Sequence, residues 1–454
     1  MKKLLYLMFI LSILTTILLP VDYYVTIYNK NVGMVRERRK ETFKKGEMEI
    51  IYDKYTDAIL ENSINIRFLN KDIFLIEQSL SKRVLNIYEL LEEATGKLIE
   101  LELVGGKSLK AKLVKKEGNE LILECDNKKI SIIDKKNIRS IILATDNAKL
   151  PLKPVLKWRV FSEVSGEYPY EVSYLLKNVN WFARYLLEIP SNEDKDALFS
   201  SYFVIKNGND MEFYNSKVKL IAGLINLKER RAEERMPASL PAFAMQSVQK
   251  PFKIEEREIE ENYIFEIDKP ISLRPHETKE IPYFEYKKVR VNKLLREFNS
   301  ISWQGRKNLN VYYKIHNIKS SGLGIPLPAG KLSVLKKDED GMLEFLGSDN
   351  VGNIPVNDTL VVSSGKSFDV SLDRRIMEKV KSGPRSQTVT VQIKVINRGK
   401  KEQKVEIIDQ LPGNNYIKSS THKYSKPQED QIIFPLSING EGEVIIEYIY
   451  THSY

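Results

Sequence analysis

The chain reads as a mostly β protein: multi-domain β-sandwiches, one inserted small barrel and few short helices. Three observations predict this. In TVTVQIKVIN the apolar Val389, Val391, Ile393 and Val395 alternate with polar residues, the period of a strand with one face on a core and one in water. QIIFPLSINGEGEVIIEYIY holds two more such runs, parted at Asn439-Gly440, a dipeptide suited to a tight hairpin. Helical periodicity is confined to short pieces: NIYELLEEATG, with Ile87, Leu90, Leu91 and Ala94 on one face and Gly96 as a stop, then Asn292 to Phe298 and Asp373 to Val380. Strands that are apolar on one face stack most simply as sandwiches.

In chain order, MKKLLYLMFILSILTTILLP is a targeting segment, because two lysines precede an apolar run from Leu4 to Leu19 and no further charge appears until Asp22. Leu18, Leu19 and Pro20 do not supply a small-residue cleavage site, so residues 1–20 read as a signal peptide or a retained signal anchor. Either way the body is expected outside the cytoplasm: secreted, periplasmic or anchored with the body outside. Residues 21–83 form an N-terminal β segment expected to pair with the sandwich that follows. The one cysteine, Cys125, allows no intramolecular disulfide and stands too far from the leader to carry a lipid there.

Residues 84–146 hold LIELELV, SLKAKLVKKEGN, ELILECDN, KKISIID and IRSIIL, five short strands with tight turns between them. That pattern suits a small closed barrel of the Sm or SH3 kind, which removes its edges by closing. Such barrels often bind RNA, but a leader removes the protein from RNA, so no nucleic-acid partner is expected. The module reads as a structural or protein-binding insertion.

Residues 147–300 read as a second sandwich, interrupted by a long loop at 226–257, NLKERRAEERMPASLPAFAMQSVQKPFKIEER. Loops of this length are usually disordered or functional. Disorder is the first reading. The second places Met236, Phe243, Met245 and Phe252 against a partner or a membrane, using the adaptability of methionine as a contact residue.

Residues 301–454 form a C-terminal β-sandwich region that contains GLGIPLPAGKLSVLKKDEDGMLEFLG, Gly322 to Gly347. A phosphate loop needs four residues between its glycines and then Lys-Ser or Lys-Thr; Gly324 and Gly330 enclose five, and Leu332 follows Lys331. A calcium loop fails as well, since Lys336 stands where an acidic ligand belongs and Gly347 where the closing glutamate belongs. A hairpin remains: KLSVLKK, a DEDG turn, then MLEFLG, with Leu343 or Phe345 expected to face the core. The preceding IPLPAG, whose prolines cannot donate to a ladder, belongs on an edge or in a loop.

Catalytic patterns are thin. Ser333, Ser348-Asp349-Asn350 and Lys381-Ser382-Gly383 fall in the order of penicillin-binding motifs, but Ser333 lies in a strand rather than at the start of a buried helix, and SxxK recurs through this lysine-rich chain. His276, His316, His422 and His452 stand apart from one another, and Trp158, Trp181 and Trp303 read as core residues. No cofactor, metal site or catalytic residue is expected. The net charge of +10 on 454 residues, with 42% hydrophobic and 29% charged side chains, fits a globular protein with a lysine-rich surface. Its excess favours anionic partners only weakly.

Taken in order, VLKWRVFSEVSGEYPYEVSYLLKNVNWFARYLLEI, VKLIAGLIN, the Gly322–Gly347 stretch and GKSFDVSLDRR resemble the bacterial family of domain of unknown function 4139, whose larger relatives are mucoidy inhibitor A-like. The resemblance runs from YYVTIYNKNVGMVRERR to the final IIEYIY. It implies a secreted or envelope-associated, β-rich protein and assigns no activity or site residues. The coiled-coil region of the larger relatives has no counterpart here, and no role tied to it is carried over.

Two functions stay open. The first is a non-catalytic envelope protein binding other envelope proteins or anionic envelope polymers, with membrane contact through an uncleaved N-terminal segment. The second is a hydrolase of envelope polysaccharide or peptide, its site assembled from scattered carboxylates or histidines and marked by a pocket with two facing carboxylates.

Overall fold

The computed structural model describes residues 22–82, 90–92, 94–126, 128–143, 154–192, 196–223, 253–259 and 262–453. It is mostly β, 70% strand and 3% helix, in several sheets with no closed barrel. Among the described residues no helix is long and apolar enough to cross a membrane. Contacts divide the chain into two units: Arg36–Tyr174, and Asp22–Val35 with Leu175–Tyr454.

In the first unit Val155–Ser162 is the central strand of a three-stranded antiparallel sheet, flanked by Gly46–Tyr52 and Ile73–Ser81. Strands of the N-terminal segment thus pair with the strand beyond the small module. Trp158 and Val160 are buried by alternation, and the Trp158 ring meets Tyr52 edge-on at 5.7 Å. The expected alternation of Tyr170, Val172 and Tyr174 also holds, all three being buried.

The small module has a core of its own, formed by Leu91, Ala94, Ile99, Leu101, Ala111, Leu113, Leu121 and Leu123. Leu91 and Ala94 come from the expected helix, of which residues 90–92 are described as helical, and Gly96 ends it with φ +83°. The barrel expectation is corrected. The sheet order runs Ile138–Leu143, Leu98–Leu103, Ser108–Glu117, Glu120–Glu124, Ile130–Asp134, so the last two strands in sequence are open edges. They are joined by a 3-10 turn, Lys135–Asn137, which the Asp134 side chain caps by accepting from Lys136 N at 2.9 Å. That turn redirects the chain, and no ladder forms between its two ends.

In the second unit Val179–Ile189 buries every other residue, Val179 through Ile189, against a cluster of aromatic rings. It pairs antiparallel with Ala197–Asn207 and parallel with Gly330–Lys337. Asp22–Tyr28 lies parallel to Phe213–Ala222, which is followed by Asn262–Ile267 and the edge strand Ile254–Ile259. The final residues of the 226–257 stretch are therefore strand rather than loop.

The hairpin of Gly330–Lys337 and Leu343–Val351 is present. Its glycines serve close packing rather than phosphate: a Cβ on Gly330 would lie 1.8 Å from the Ala183 carbonyl oxygen, and one on Gly322 1.9 Å from that of Lys288. The facing of the second strand is corrected. Leu343 and Phe345 are 44% and 63% exposed, because that strand is the sheet's edge and the core is filled by Leu332 and Val334 from its partner.

The C-terminal sheet has nine strands, with Thr359–Gly383 running between Gly305–His316 and Ser386–Asn397. Both remaining helix expectations fail here. Asn292–Asn299 is a strand between Gly305–His316 and Gln403–Gln410, and Asp373–Val380 lies within Thr359–Gly383. Pairing on both sides overrides the local pattern. The Asn439-Gly440 hairpin fails too: Gln431–Ile438 pairs with Gln403–Gln410, while Glu443–Ser453 pairs with Ser386–Asn397. The turn connects separated strands. Asn397 holds it in that course by donating to the carbonyls of Lys401, Ile438 and Asn439 at 2.8–3.2 Å.

Candidate functional site

Two buried polar clusters and one pocket are the places where chemistry could be concentrated. In the first unit Glu37 is wholly buried. Tyr52 and Tyr174 both donate to its Oε1 at 2.6 Å, and Arg39 Nε donates to Oε2 at 2.8 Å. The Arg39 guanidinium also lies over the Tyr52 ring, 4.6 Å from its centroid. Burial, then the adjacent Glu37, pushes both phenols well above the ordinary tyrosine value. A carboxylate with two phenols is a proton-transfer set in principle, but all three side chains are closed to solvent, so no substrate reaches them.

The second cluster lies in the C-terminal sheet. Asp409, also wholly buried, accepts from Arg374 Nε at 2.8 Å, from Tyr448 at 2.5 Å and from Asn299 Nδ2 at 2.6 Å. Arg374 donates onward to the Trp303 carbonyl. Four strands are tied together by one carboxylate. Because each charge has its partner, this is a pin rather than an open site.

The pocket is about 280 Å³ and is lined in part by Tyr263, Phe265, Pro326, Pro328, Ile354 and Pro355. Its floor belongs to the aromatic cluster of the second unit: Phe265 meets Phe203 at 5.1 Å, Trp181 at 5.9 Å and Tyr283 at 5.4 Å. Its walls are two proline segments joined by paired backbone bonds between Leu327 and Ile354. Tyr185 and Tyr283 donate to the carbonyls of Pro328 and Pro326 at 2.6 and 2.8 Å. Buried Asn317 donates to Ile325 O at 2.7 Å and to Pro355 O at 2.9 Å, and it accepts from Gly324 N at 3.0 Å. Three side chains thus fix both walls from behind. Burial, then Glu256 beside it, holds the Tyr283 phenol far above its ordinary value, so it stays a donor.

At this volume the pocket falls just below the ~300–1,000 Å³ of sites that enclose a drug-sized ligand, and it fits one large side chain of a partner. Glu258 is the only carboxylate among its described lining residues. The facing pair that glycoside or peptide hydrolysis would need is not assembled there. Among the described residues no group of His, Cys, Asp or Glu could hold a metal ion.

Met236, Phe243, Met245 and Phe252 lie outside the described residues, so the structure neither gathers nor separates them. The histidines remain scattered: His276 pairs with the exposed Asp210 at 2.8 Å, and His316 with Thr359 at 3.0 Å. Trp158 and Trp181 are buried as expected, and Trp303 partly so. The pocket was not legible in the sequence because its floor and walls together come from four separate segments. The available signal was the pair of proline-containing stretches, IPLP and NIP, each read only as loop. No protein-family model matches the chain, and no curated protein matches it.

Proposed function

We propose that this is a non-catalytic, envelope-associated binding protein whose second unit docks a side chain of a polypeptide partner in the pocket beside Tyr263 and Pro326. The observation that carries the reading is the pre-formed, apolar pocket. Its two proline walls are locked by Asn317, Tyr185 and Tyr283, so little conformational freedom is lost on binding. The buried carboxylates Glu37 and Asp409 are sealed and partnered, which suits structural pins better than catalysis. Placement outside the cytoplasm rests on the lysine-flanked apolar run at 1–20, and the resemblance to domain of unknown function 4139 supports it. In this reading the stacked sheets are β-sandwiches and residues 84–146 an Sm/SH3-like insertion, its open edges Ile130–Asp134 and Ile138–Leu143 available to protein partners.

Co-sedimentation with washed cell envelopes tests the proposal. The native protein is expected in the pellet, and an Ile354→Glu variant, which places a charge in the pocket, is expected in the supernatant with its melting temperature retained. Equal sedimentation of the two would contradict the reading. Release of soluble sugar or peptide fragments from the envelopes would instead support the hydrolase alternative.

A further inference from the structure

We infer that the pocket selects a cationic side chain, a lysine or arginine presented by the partner polypeptide. This rests on the docking role proposed above and adds the chemistry of the ligand. One free carboxylate lines the pocket. Glu258 projects from Ile254–Ile259 into the lining, and among the described residues no ion pair or hydrogen bond engages it. Its neighbours on that strand are committed elsewhere: Glu255 to Lys253, Glu256 to Tyr283 and Arg257 to Glu266. Glu258 is the group left over.

The other oxygens are engaged: Pro328 O by the Tyr185 hydroxyl, Asn353 Oδ1 by Ala329 N at 2.7 Å, while Pro326 O and Glu256 share the single Tyr283 proton.

The walls complete the selection. Tyr263 offers an aromatic ring, which attracts an ammonium or guanidinium through the ring quadrupole. The proline and isoleucine faces accommodate the methylene stem that such side chains bury while the charged head finds its acceptors. No lysine or arginine lines the pocket among the described residues, although the chain carries a net charge of +10. An anionic ligand would face Glu258 with no lysine or arginine among the described lining residues to offset it.

Short glycine-flanked peptides with a central Arg, Lys, Leu or Glu, fluorescently labelled, are to be titrated by anisotropy against the full chain and its Glu258→Gln and Tyr263→Ala variants. The Arg and Lys peptides should bind at least about tenfold more tightly than the Leu peptide, the Glu peptide not at all, and each variant should lose about tenfold for the cationic peptides. Unchanged melting temperatures would place the loss in the pocket. If the Leu peptide binds as well as the Arg peptide and Glu258→Gln changes nothing, the cation inference is overturned while the docking role stands. If no peptide binds, both fall.

Discussion

Asp409 and Asn317 show how single buried polar residues carry this fold. Asp409 neutralises Arg374, against which burial works, and takes two further donors, so replacing it by alanine leaves a guanidinium buried without its counter-charge. Asp409→Ala should cost about 3–5 kcal/mol in urea unfolding, and an Arg374→Met, Asp409→Leu double variant should recover much of that loss. A loss in the double variant equal to the sum of the losses of Arg374→Met and Asp409→Leu measured singly would show that the pair is not coupled. Asn317→Ala removes the side-chain bonds that hold the pocket walls and should cost about 1–3 kcal/mol by urea unfolding while weakening partner binding. Neither residue was legible in the sequence. A buried Asp or Asn is recognised by partners distant in the chain, and Asn299, Arg374, Asp409 and Tyr448 share no local pattern.

At the scale of elements the sequence was most informative where one face of a strand meets a core. Val389, Val391, Ile393 and Val395 are all buried, as their alternation demands. It misled where pairing breaks that alternation. In Asp373–Val380 Ile376 and Val380, four apart in the chain, imitate a helical face, and the strand's register shifts between Ile376 and Glu378. In Asn292–Asn299 both Leu294 and Leu295 are buried, and an adjacent apolar pair also fits a helical face. The hairpin at Gly330–Val351 was read correctly as a hairpin and incorrectly in its facing. Leu332→Ala, at a fully buried position, should cost about 2–5 kcal/mol, and Phe345→Ala, at the exposed edge, less than about 0.5 kcal/mol. Thermal unfolding of the two variants checks the assignment of faces.

For the whole molecule the buried phenols set an alkaline limit. Tyr52, Tyr174, Tyr185 and Tyr448 are all raised above the ordinary value of 10.0, first by burial. A raised value means the folded state holds these protons more tightly than the unfolded chain. Their contribution is therefore complete below pH 10 and is lost as pH rises beyond it. In a tyrosinate titration these four should ionise only in a cooperative step that coincides with loss of the β circular-dichroism signal. Their ionising near pH 10 with the fold intact would contradict the burial described here.

The pocket also depends on distant parts of the chain, since Ala222 and Gly223, Glu258, Tyr263 and Phe265, 326–328 and 353–355 meet only in the folded second unit. Its role as the docking site is tested most directly by photo-crosslinking in intact cells, with a photoreactive phenylalanine at Tyr263 and, as a control on the C-terminal sheet, at the exposed Tyr416. The account predicts a discrete polypeptide adduct from position 263 that disappears when Ile354→Glu is added, and no such adduct from position 416. The same adducts from both positions, or an adduct at 263 indifferent to Ile354→Glu, would contradict it.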